Sequence, residues 1–150
     1  MAAWQFDVEV VPSGLATVPI EEPWADIRPP ENWEDLVGGI FPPARSWSPD
    51  HLRTWGVEDS HRIDAWVDDG RLRSILVRLD ARQENCEMIA LRIAELASSL
   101  GAKLRTRGGL VIEPEPGALA GALEGSAAMR FVQNPELFLR RLRIGGIDDA

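Results

Sequence analysis

Apolar and polar positions alternate at the start of the chain, with Trp4, Phe6, Val8 and Val10 set against Gln5, Asp7 and Glu9. A period of two with one apolar row predicts a half-buried strand over 4–11, stopped by Pro12, Ser13 and Gly14. From Pro12 to Pro49 the pattern dissolves, and this stretch holds eight of the 11 prolines. Proline removes backbone donors and bars helix continuation, so only short elements fit there. One is a helical turn over Asn32–Val37, ended by Gly38-Gly39. Trp24, Trp33, Ile40, Phe41 and Trp47 carry too much apolar surface to be left in water. Residues 12–48 are therefore expected to form an ordered, irregular Pro/Trp-rich wrap across the domain. Ser48-Pro49-Asp50 has the composition of a helix start and predicts a brief helix over 49–55, ended by Gly56.

Regular periodicity returns after residue 60. Arg62–Val67 and Leu72–Val77 flank Asp69-Gly70, a dipeptide suited to a two-residue type I′ turn, which predicts a hairpin. Pairing Asp68 with Arg71 places Ile63, Ala65 and Val67 on one face with Leu72, Ser74 and Leu76. Trp66, Arg73, Ile75 and Val77 then share the opposite face, where Trp66 meets Arg73 in a cation–π pair. Continuing that register carries Arg78 and Asp80 to the core side. Over 83–100, Cys86, Ile89, Ala90, Ile93, Leu96, Ala97 and Leu100 follow a helical stripe, with Gly101 as the stop. Strand pieces are expected over 103–106 and 110–113, and a helix over 117–131. A last helix starts at Asn134-Pro135-Glu136 and closes at Gly145-Gly146. This order of elements predicts a single α+β domain over 1–150. Its small antiparallel sheet carries the helices on one face and the wrap along an edge or the other face.

Charge changes the picture by its asymmetry. The net charge is −8; residues 1–59 hold all of it, and all six tryptophans fall within the first 66 residues. Residues 60–150 are neutral. An acidic balance argues against nucleic-acid binding, which needs a basic face to neutralise phosphates. No apolar run is long enough for a membrane span, and the N-terminus lacks the features of a secretory signal. The single cysteine, Cys86, excludes an internal disulfide and sits on the apolar helix stripe as an inert thiol. These features point to the cytoplasm.

No motif assigns a chemistry. Gly-x-Ser-x-Gly and a phosphate-binding glycine loop are both absent. Asp59, His61 and Asp64 have ligand-type side chains, but a strand sends His61 and Asp64 to opposite faces, so no metal is expected. No cofactor is expected either. Arg140, Arg141 and Arg143 suit the negative end of the last helix and call for no ligand.

Two constellations remain. Acidic groups and indoles in the front half suit docking to a basic protein, as in an inhibitor or immunity-type protein, with Trp33, Glu31, Glu34, Asp35 and Trp66 as the contact residues. Trp4, Trp24 and Trp47 are expected to pack as anchors instead. Alternatively, Arg78 and Arg82, oriented by Asp80, form an anion site of a small-molecule binder or enzyme; the same three residues also suit a structural ion pair. A further alternative is self-association through the flat Trp66/Ile75/Val77 face. The leading expectation is a non-enzymatic protein-binding module.

Overall fold

A computed structural model describes residues 2–144. Seven strands form one sheet: β1 (Gln5–Pro12), β2 (Pro43–Ala44), β3 (Leu52–Gly56), β4 (Arg62–Asp68), β5 (Arg71–Asp80), β6 (Ala102–Thr106) and β7 (Val111–Ile112). Their spatial order is β2-β3-β4-β5-β1-β6-β7, and every neighbouring pair is antiparallel. Among the described residues there are also five α-helices: α1 (Trp33–Gly38), α2 (Cys86–Ser99), α3 (Ala118–Glu124), α4 (Ala127–Gln133) and α5 (Pro135–Ile144). The architecture is α+β, as the element order implies. No helix among the described residues is long and apolar enough to cross a membrane.

The core lies between one face of the sheet and the helices. Phe6, Val8 and Val10 of β1 join Ile63, Ala65, Val67, Ile75, Val77, Leu79 and Leu104 in one buried cluster. The stripe of α2, from Cys86 to Leu100, covers them and belongs to the same cluster. Alternation in the strands and 3.6-residue periodicity in the helix therefore meet on a shared apolar surface. Trp33 of α1 packs edge-on against Trp55 of β3, with ring centroids 6.1 Å apart.

The β4–β5 hairpin departs from the expected register. Val67 pairs with Leu72 as foreseen, but Trp66 pairs with Ser74, which leaves Arg73 as an extra residue. A bulge of one residue flips every later side chain of β5 to the other face. Ile75 and Val77 thus enter the core, fully buried, while Ser74, Leu76 and Arg78 emerge on the face without helices. The expected Trp66–Arg73 stacking is replaced by ion pairs from Arg73 to Asp68 at 3.4 Å and Glu22 at 4.0 Å. The flat Trp66/Ile75/Val77 face does not exist, because Ile75 and Val77 lie on the core side.

Two helices were also misplaced. Ser48 accepts from the N–H groups of His51 and Leu52, but only one turn closes before β3 begins. Here strand pairing with β4 outweighs a local cap signal. The single helix expected over 117–131 divides at Gly125-Ser126, because Ser126 caps α4 by accepting from the Met129 N–H at 3.2 Å. At the C-terminus, Arg140 pairs with Glu136 one turn earlier, at 3.6 Å. The side chains of Arg141 and Arg143 and the stop expected at Gly145-Gly146 lie outside the described residues.

The proline-rich segment is ordered and changes sides. Residues 16–20 lie on the helix-free face, where Arg105 of β6 donates to the carbonyls of Val18 at 2.6 Å and Ala16 at 3.5 Å. The chain then rounds the end of the sheet. Trp24 donates its backbone N–H to the carbonyl of the bulged Arg73 at 3.0 Å, and its indole to the Val10 carbonyl at 2.8 Å. Beyond it, α1 packs on the helical face.

Candidate functional site

The helix-free face is built from the polar rows of the strands. Gln5, Asp7 and Glu9 of β1 stand opposite Asp80, Arg78 and Leu76 of β5, and Glu9 also stands opposite Arg105 of β6. Residues 16–21 rise along one side of these rows. The result is an open cavity of about 980 Å³ lined by charged groups, with Ala16, Pro19, Ile20 and Leu76 as its apolar part. Arg105 is committed within it, bonded to Glu9 at 2.8 Å as well as to the wrap. The carboxylate oxygens of Asp7 accept from Gln5 Nε2 at 3.0 and 2.9 Å. Arg78 stands 3.6 Å from Asp7 through its Nε, which is buried and donates no hydrogen bond.

Arg78 and Arg82, expected together, are separated. Arg82 lies beyond the end of β5, gripping Asp80 through Nε and Nη2, both at 3.0 Å, and stacking on Trp4 at 3.7 Å from the ring centroid. It also donates to the Asp59 carbonyl. The clamp over an anion is therefore not formed; Asp80 and Arg82 make a structural pair, and Arg78 alone faces the cavity. Geometry explains this: the bulge returns Arg78 to the open side, whereas Arg82 follows the strand into a turn.

The Asp80 pair anchors a wider network. His61 Nδ1 accepts from the Asp80 N–H at 3.0 Å, His61 Nε2 contacts Asn85 Oδ1 at 3.0 Å, and the imidazole stacks on Phe41. Asp64 instead meets Arg62 and Thr54, so His61 and the nearby acids do not converge. No cluster suited to a metal occurs among the described residues. Burial alone pushes the Asp80 carboxyl up. The hydrogen bonds from Arg82 and Gln83, and the Arg82 charge, outweigh it and hold the group below its ordinary value of 3.8. A carboxylate with a depressed folded value contributes stability that is complete above the unfolded value and is lost as pH falls through the folded one. Asp80→Asn is therefore expected to cost about 2 kcal/mol near neutral pH. Urea titrations should show this gap narrowing below pH 4; a gap constant with pH would reject the role assigned to the charge.

The indoles are sorted differently from expectation. Trp33 is only 8% exposed and belongs to the core, so it cannot serve as an outward contact. Trp47, expected to pack, is 77% exposed, and Trp66 is 42% exposed. Their rings meet edge to face at 6.2 Å on the helix-free side. Leu52, opposite Trp66 in the ladder, is buried. Glu34 and Asp35 line a groove of about 690 Å³ with Ser46 and Pro49, the residues bracketing Trp47 and Ser48. Glu34 also pairs with Arg53. Glu31 faces a different groove, with Pro29, Pro30 and Trp33 beside Gly70–Leu72. The signal missed for Trp47 was its setting between two serines and among prolines, with no apolar partner in period. The signal missed for the cavity was the polar row of β1 itself. Comparison with protein-family models, with characterised proteins and with solved structures finds no match to this chain.

Proposed function

We propose that the chain is a non-enzymatic protein-binding module that docks a basic protein through its acidic front half, in the manner of an inhibitor or immunity-type protein. The observation that carries this reading is the exposed Trp47–Trp66 pair. Two indoles in mutual contact and open to water form an anchor of the kind that dominates interface energetics once desolvated. Trp47 stands in the part of the chain that holds the whole net charge of −8, and Trp66 follows shortly after it in sequence. Negative surface of that extent accelerates encounter with a cationic partner and disfavours acidic competitors. Glu34 and Asp35 flank the Trp47 loop, and Glu31 extends the acidic field. Trp33 takes no part in contact and supports the surface from beneath through Trp55.

The test immobilises the whole chain against extracts of its native cells. A basic protein is expected to be retained, with affinity falling as salt is raised. Trp47→Ala with Trp66→Ala should weaken the complex about 30-fold or more, in line with hot-spot losses of ~2 kcal/mol. Trp33→Phe should leave the affinity unchanged. Neutralising Glu31, Glu34 and Asp35 should slow association more than it speeds dissociation. Retention indifferent to salt and to both exposed indoles would overturn the reading.

A further inference from the structure

We infer that the cavity on the helix-free face is a second, independent binding site, for a small zwitterion such as an amino acid or short peptide, with Arg78 holding the carboxylate. Arg78 occupies a central strand and is 28% exposed, so its guanidinium has given up much of its hydration. It makes no hydrogen bond among the described residues. Among the described residues its one ion pair is with Asp7 at 3.6 Å, whose oxygens are engaged by Gln5, while Arg62, opposite it on β4, is taken up by Asp64. A half-buried guanidinium with unspent donors is a ready partner for a planar oxyanion, which accepts two parallel N–H bonds.

The rest of the lining selects among oxyanions. Asp7, Glu9 and Glu21 balance Arg78, Arg105 and Arg107, so the cavity is formally neutral. A phosphate dianion would gain from Arg78 but meet the Asp7 carboxylate beside it. A singly charged carboxylate meets a weaker repulsion there, and an ammonium on the same ligand offsets it, because Glu21 on the wall is exposed and engaged by no cation among the described residues. Pro19, Ile20, Ala16 and Leu76 offer small apolar contacts between the two charged ends. A space of about 980 Å³ is at the upper end of small-molecule sites and accommodates a tripeptide.

Trialanine is the probe, titrated by calorimetry and by ligand-observed NMR against the full chain. It is expected to bind with a Kd near a millimolar or tighter. Its C-terminal amide should bind at least tenfold more weakly, and Arg78→Gln should impose the same loss on trialanine while adding none for the amide. Glu21→Gln should weaken trialanine but not N-acetyl-trialanine, which lacks the ammonium. Glu21 is an exposed wall residue, so this variant remains folded even where Arg78→Gln destabilises the sheet. Absence of trialanine binding at ten millimolar overturns the inference. So does equal binding of acid and amide, or inorganic phosphate binding at Arg78 more tightly than the peptide. Trp47→Ala with Trp66→Ala should leave trialanine binding intact, which separates this site from the docking surface.

Discussion

Trp24→Ala is expected to lower the unfolding free energy by about 4 kcal/mol, the upper range for truncating a buried aromatic. The indole is 2% exposed and belongs to the same cluster as Val8 and Val10. Its removal opens a void that neighbours on a rigid sheet cannot refill. It also removes the indole donor to the Val10 carbonyl, at 2.8 Å, leaving that oxygen to its ladder pairing with β5. Loss of that second hydrogen bond adds about 1 kcal/mol. Trp24→Phe separates the contributions, since it keeps most of the volume and loses the N–H; a cost of about 1–2 kcal/mol is expected from the missing bond. Urea unfolding at neutral pH measures both. A cost below 1 kcal/mol for the alanine variant, relative to an expected ~4, would mean that the wrap is held elsewhere.

Gly56→Ala is expected to destabilise by about 3 kcal/mol, although it adds a single methyl group at the end of β3. The residue has φ of +97°, and a β-carbon there would lie 2.4 Å from the His61 carbonyl oxygen. That carbonyl accepts from the Val57 N–H at 2.9 Å and closes the β3–β4 turn, so it is not free to retreat. Displacing His61 also disturbs its bond from the Asp80 N–H and its contact with Asn85, which together tie the end of β5 to the residue before α2. Gly70→Ala provides the control. Its φ is +74°, but nothing lies within 4 Å of the added carbon. Only the conformational cost of a left-handed L-residue remains, about 1 kcal/mol. Equal effects at the two positions, read by thermal unfolding, would show that the close approach to His61 is unimportant.

Much of this fold was legible because its elements bury one clean face. The polar row of β1, the stripe of α2 and the Asp69-Gly70 turn each carry a period that only one element satisfies. The structure places all three where the periodicity implies. The failures share a cause: a choice made by tertiary pairing against a local preference. Ser48-Pro49-Asp50 carries a good helix cap, yet the Leu52–Gly56 segment gains a full ladder by joining β4. The bulge at Arg73 has no sequence mark, since an unbroken alternation through Leu72 and Ser74 reads equally well. Its consequence was the exchange of Ile75 and Val77 with Ser74, Leu76 and Arg78. The exposure of the residues proposed for docking was half legible. The acids at Glu31 and Asp35 are exposed, but Trp33 and Trp47 traded places because burial of an indole depends on what folds over it.

The outermost strands of the sheet are each two residues long, and one of them begins with Pro43. Neither offers a row of free backbone donors and acceptors long enough for an incoming chain to zip onto. Lateral growth into ribbons or fibrils is thereby discouraged from both flanks. Any association this molecule undergoes is directed to its broad surfaces, where side-chain identity rather than generic backbone pairing decides who binds.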